Sequence, residues 1–112
     1  MPFKLFVRNY KDRDTEKCFT GQKSKLGKAL LSARIYDQAG RVVMLLKGSR
    51  DLTFAKHIFS ASPNWRLKKL NGRDNAYSIR LNDQWRIIFY YDEKANEAYD
   101  LEVTPHDYKV RT

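Results

Sequence analysis

Residues 64–91 read Asn64-Trp-Arg-Leu-Lys-Lys-Leu-Asn-Gly-Arg-Asp-Asn-Ala-Tyr-Ser-Ile-Arg-Leu-Asn-Asp-Gln-Trp-Arg-Ile-Ile-Phe-Tyr-Tyr91, and this stretch decides the fold. Three short apolar runs are separated by Asn71-Gly72 and by Asn82-Asp83-Gln84. β-Branched and aromatic residues fill the runs and turn residues bound them, so the stretch predicts a meander of strands. In the middle run Tyr77, Ile79 and Leu81 point one way, and Ser78, Arg80 and Asn82 the other. One face of the sheet can then be buried while the other carries arginine. Six basic residues (Arg66, Lys68, Lys69, Arg73, Arg80, Arg86) stand against two acids (Asp74, Asp83) over 64–90, which predicts a surface that meets an anion.

Outward from the meander, the other segments complete an α+β pattern. Residues 3–8 read as a strand at a sheet edge after Pro2. A short helix is expected from Asp12 to Phe19, capped by Asp14 or Thr15 and ended by Gly21. From Lys25 to Lys47 apolar residues recur at spacings of three and four, which predicts one amphipathic helix or two joined near Gly40, where glycine costs about 1 kcal/mol. Asp51–Ala55 reads as a further helical turn, 60–64 as a loop, and Ala98–Val103 as a last strand stopped by Thr104-Pro105. Strand, helices and then sequential strands imply a single α+β domain over 1–112, with helices packed on a mainly antiparallel sheet of about four strands.

The formal charge is +9, from 22 Lys and Arg against 13 Asp and Glu. Its placement is uneven: nine bases against three acids over 1–34, four against two over 35–63, and three against six over 91–112. A basic strand region favours nucleic acid over an acidic protein surface. No apolar run of about 18 residues exists, so a spanning helix is not expected. The N-terminus does not read as a signal peptide. One cysteine, Cys18, cannot form an internal disulfide, no metal-ligand spacing is present, and a reducing cytoplasm fits.

Arg86 is the residue whose placement most needs explaining, because it stands between Trp85 and Ile87-Ile88-Phe89. An ionised group in an apolar strand either pairs with an internal carboxylate or faces a cleft that receives an anion. Arg66, Arg73 and Arg80 are more easily solvated. Lys68 and Lys69 are adjacent, so in a strand one faces each side. His106, Asp107, Tyr108 and Lys109 form a dense titratable set after the last strand, able to move protons or simply solvated. His57 reads as a helix-surface residue. Trp65, Trp85 and the tyrosines can stack on bases or fill the core, with Trp85, Phe89 and Tyr99 leaning to the core.

Phosphate-loop, dinucleotide, nucleophile-elbow and zinc-protease motifs are missing. RNA cleavage without a metal or cofactor remains compatible. There the ribose 2′-OH attacks the adjacent phosphate, leaving a 2′,3′-cyclic phosphate and a 5′-OH. It needs a base at the 2′-OH, cations on the phosphate and an acid at the leaving oxygen.

Asp14-Thr15-Glu16-Lys17 with Phe19 and Gly21, Arg66-Leu67 with Gly72-Arg73, Tyr77 to Ile87, and Ala98 to Val103 together resemble the HigB branch of the RelE/ParE toxin superfamily. The likeness is densest over 77–87 and thin between 35 and 60. It implies a RelE-like domain and a type II toxin that cuts mRNA in the A site of the 70S ribosome, inhibiting translation. A HigA-like helix-turn-helix antitoxin would neutralise it in a hetero-oligomer. By position, Arg86 resembles the strand arginine that holds the scissile phosphate, and Arg66 and Arg73 fall among basic residues near RNA. Catalytic roles would be drawn from Arg86, Lys68, His106, Asp107 and Tyr108, with Arg66, Lys69, Arg73 and Arg80 binding RNA. The chain departs from the family at Lys68 and Asn71, and at Thr104-Pro105-His106-Asp107-Tyr108-Lys109, where relatives carry an Asp-Tyr-His run. Those departures keep two alternatives open: a ParE-like toxin that inhibits DNA gyrase by protein binding, and a non-catalytic member that only binds antitoxin.

Overall fold

In the computed structural model, which describes residues 4–62 and 65–105, a short strand leads, four helices follow, and four strands close the described chain. Strand β1 is Phe6–Val7; helices α1 to α4 are Arg13–Phe19, Lys25–Ser32, Tyr36–Gly48 and Leu52–Ser60. Strands β2 to β5 are Leu67–Lys69, Ala76–Arg80, Trp85–Asp92 and Glu97–Pro105. They form one sheet in the order β1-β5-β4-β3-β2. Strands β2 to β5 pair antiparallel, and β1 lies parallel beside β5. The class is α+β, as the sequence implies. The sheet has five strands rather than about four, because β1 joins at the edge and the helices supply the long crossover that a parallel neighbour requires. No helix among the described residues is long and apolar enough to cross a membrane.

Helices α1, α2 and α4 begin at side-chain caps, and two helix boundaries differ from expectation. The α1 cap is Asp12, whose carboxylate accepts from the Thr15 N–H and hydroxyl, both at 2.8 Å. Asp14 instead reaches forward and accepts from the N–H groups of Lys25 and Leu26 at 2.9 and 2.8 Å. With Ser24 accepting from Gly27, three of the orphan amides that open α2 are satisfied. The second difference is the break between α2 and α3. It falls at residues 33–35, whereas Gly40 lies inside α3. Arg34 takes φ 62°, and the Ile35 and Arg34 N–H groups donate to Leu30 and Leu31 at 2.9 and 3.0 Å. This is a Schellman ending, in which a left-handed residue closes the last carbonyls and the flanking apolar pair, here buried Leu30 and Ile35, locks the turn. Nothing lies within 4 Å of where a Gly40 Cβ would be, so that glycine carries only its intrinsic helix cost. The helical turn expected near 51–55 extends to Ser60, capped by Asp51 accepting from Phe54 N–H at 2.9 Å.

The last strand also departs from simple alternation. Ala98 and Leu101 are both fully buried although three residues apart. A register shift opposite Ile88–Tyr90 and a φ of 51° at Asp100 mark a bulge that inserts one residue. Asn9 holds it, its side chain accepting from Asp100 N–H at 2.9 Å and donating to the Asp100 carboxylate at 3.1 Å. The bulge keeps Leu101 and Val103 on the same face as Ala98, where unbroken alternation would have turned them outward.

That face is the core. Ile79, Ile87, Phe89 and Leu101 from the sheet are fully buried with Leu30, Val42, Leu46 and Ala55 from the helices. Cys18 belongs to this core, and burial pushes its thiol up, away from reactive thiolate. Trp65 and Trp85 pack against the rim of the core. His57 is exposed on α4, as expected.

Candidate functional site

The sheet's other face is built by the same alternation and has the opposite character. Arg80 lies directly opposite Arg86, and Arg86 opposite Thr104. The Arg80 N–H donates to the Arg66 carbonyl at 3.0 Å, which extends the register and places Arg66 beside Arg80. Three arginines therefore form one row across β2, β3 and β4. A second row runs Lys68, Ser78, Ile88, Glu102, and a third Ala76, Tyr90, Tyr99.

Like charges directly opposite each other destabilise a sheet, so folding alone gives no reason for this row. Arg80 is relieved by an ion pair with Asp83. Arg86 is not: its Nε is buried with no hydrogen-bond partner, and no ion pair joins its guanidinium to any described residue. An unmet buried donor costs about 1–3 kcal/mol. Of the two outcomes left open for Arg86, the internal carboxylate is absent among the described residues.

The acids of this face are already engaged elsewhere. Glu102 pairs with Lys11 at 3.1 Å. Asp92 and Glu97 both pair with Arg8, at 2.8 and 2.6 Å. The Ala95 N–H, together with Arg8, holds the Asp92 carboxyl below its ordinary range. Arg8 also stacks on Tyr99, 4.8 Å from its ring centre, and Tyr99 stacks on Tyr90 at 5.5 Å. The β1 side of the face is thus charge-balanced through the N-terminal segment. The β2 side is left cationic, with Arg66, Lys68 and Arg86 free of ion pairs among the described residues.

Such an arrangement is chemically suited to oxyanions. A guanidinium offers parallel N–H groups that match two oxygens of a phosphate, and partial burial strengthens each bond. The described chain ends beside it, with Thr104 opposite Arg86 and Pro105 opposite Trp85.

Not every expected site residue joins the row. Lys68 does. Lys69 is exposed but opposite Tyr77, so it lies on the helix-side face. Arg73 sits exposed in the turn between β2 and β3. His106, Asp107 and Tyr108 lie outside the described residues. Sequence reasoning missed the engagement of Glu102, Asp92 and Glu97. Those partners are 84 to 91 residues distant in sequence, and only the parallel docking of β1 brings them together. No protein-family model matches the chain, and no curated protein matches it.

Proposed function

We propose that the chain is a metal-independent endoribonuclease of the HigB type, a type II toxin that cuts mRNA on the ribosome. The observation that carries this reading is the partly buried, unpartnered Arg86 guanidinium within a row of arginines. Arg86 holds the non-bridging oxygens of the scissile phosphate, where charge grows as the 2′-OH attacks. Arg66 and Arg80 hold flanking backbone. A base takes the 2′-OH proton, the new P–O2′ bond closes the cyclic phosphate, and the P–O5′ bond breaks. The leaving O5′ takes a proton from an acid. Lys68, in the row beside Arg86, and His106, Asp107 and Tyr108, which follow the end of β5 in sequence, supply these groups.

A toxin of this kind acts in the cytoplasm and is held inactive by a helix-turn-helix antitoxin in a hetero-oligomer. The test is to map mRNA 5′ ends on ribosomes after induction, wild type beside Arg86→Ala, and to determine their chemistry. New 5′-OH ends within the A-site codon, absent from the variant, are expected. Intact mRNA with inhibited supercoiling would replace this reading with a gyrase-directed one. Normal growth on induction would leave antitoxin binding alone.

A further inference from the structure

A groove of about 380 Å³ lies between α4 and the edge strand β2, at the Arg66 end of the arginine row. Lys56, Ser60, Arg66 and Lys68 are among its lining residues, over a floor that includes Phe59 and Leu67. The described lining carries three cations and no carboxylate. β2 is the last strand of the sheet, and its bonds to β3 run through Arg66 and Leu70. Strict alternation in an antiparallel pair therefore turns the backbone groups of Leu67, which lines the groove, to the free edge. Cationic side chains border the same volume.

Lys56 shows why the groove is suited to an anion. Its Nζ sits 5.2 Å from the centre of the Tyr77 ring. An exposed cation–π contact contributes about 0.5–1 kcal/mol. A charge-assisted hydrogen bond to phosphate is stronger, so an arriving phosphate adds to what the ring provides. Ser60 donates its hydroxyl to the His57 carbonyl at 2.7 Å, which keeps it a fixed wall of the groove.

We propose that this groove is a second phosphate subsite, which takes the backbone of the same single-stranded RNA several nucleotides from the linkage held at Arg86. The inference rests on the ribonuclease reading above. Arg66 and Lys68 belong both to the cationic face and to the groove lining, so a polyanion crossing from Arg86 to Arg66 arrives at the groove. Two strand spacings separate β4 from β2, about 10 Å. A stacked strand rises only about 3.4 Å per nucleotide, so RNA must be several nucleotides long to occupy both places.

The test measures binding of an uncleavable 2′-O-methyl RNA of about eight nucleotides, and of a dinucleotide, by fluorescence anisotropy over a range of salt. Lys56→Gln should weaken the longer RNA about 3- to 10-fold and flatten its logarithmic salt slope by about 0.7. Lys56→Arg should restore both, and the dinucleotide should not respond. Lys56 is exposed on α4, and thermal melting checks that the variants are folded. If the longer RNA binds Lys56→Gln as it binds wild type while Arg86→Gln weakens it, the subsite falls and the ribonuclease reading stands. If inorganic phosphate binds at Lys56 without affecting RNA affinity, the groove is a small-anion site and the proposal is overturned. If wild type binds neither RNA, the subsite falls, while the ribosome-dependent ribonuclease reading is decided separately by the mapping of mRNA 5′ ends on ribosomes.

Discussion

The two faces of the sheet share the same strands and the same two-residue period, yet one is a closed apolar layer and the other carries a row of arginines in which only Arg80 has an ion pair among the described residues. On the helix side Ile79, Ile87 and Phe89 are fully buried. On the other side, one residue along each strand, Arg80 and Arg86 face each other and Arg86 keeps a buried donor without a partner. The first face stabilises the fold and the second opposes it. Residues that oppose folding are candidates for accepting a ligand, and this contrast is why the proposed function is placed on the arginine face.

The contrast predicts that substitutions separate cleanly into those that move stability and those that move activity. The largest stability effect should come from Phe89→Ala. Phe89 is fully buried and stacks on Tyr77 with centroids 5.9 Å apart. A loss of about 3–5 kcal/mol is expected, read as a fall in the urea midpoint. A loss below about 1 kcal/mol would mean that this face is not the core.

Asp12→Ala should cost about 1 kcal/mol through loss of the α1 cap, with RNA cleavage per folded molecule unchanged. The same residue gives a pH signature. The Thr15 N–H, then its hydroxyl, holds the Asp12 carboxyl below its ordinary 3.8. A depressed folded-state value contributes stability above the unfolded value, and that contribution is lost as pH falls through the folded one. Between about pH 6 and about pH 3, Asp12→Asn should lose less stability than wild type, because asparagine keeps the cap without titrating. Equal acid slopes would show that the cap is not formed by the carboxylate.

The smallest effect should be a gain. Gly40→Ala adds a methyl into open space within α3, and about 0.5–1 kcal/mol of stability is expected with cleavage unchanged. A loss would show that the α3 backbone bends at that point after all.

Much of the fold was legible because Tyr77, Ile79 and Leu81 alternate with Ser78, Arg80 and Asn82, which already puts core and arginine on opposite faces of β3. The α2–α3 break was not, because a left-handed arginine at position 34 closes the helix where glycine is the usual signal. The bulge at Asp100 was hidden for a related reason, since its support comes from Asn9, remote in sequence. At the site, the residue types and the split between Lys68 and Lys69 could be read from parity. The neutralisation of the β5 acids by Arg8 and Lys11 could not, because it depends on a two-residue parallel strand with almost no local signature.

Replacing Arg86 with methionine, and measuring stability and ribosome-dependent mRNA cleavage on one preparation, separates an anion-binding arginine from a structural one. Removing an unmet buried donor should raise stability by about 1 kcal/mol, while loss of the guanidinium proposed to hold the phosphate should lower cleavage at least about 100-fold. A variant that is less stable than wild type and still cuts mRNA at the normal rate would contradict the anion-binding role.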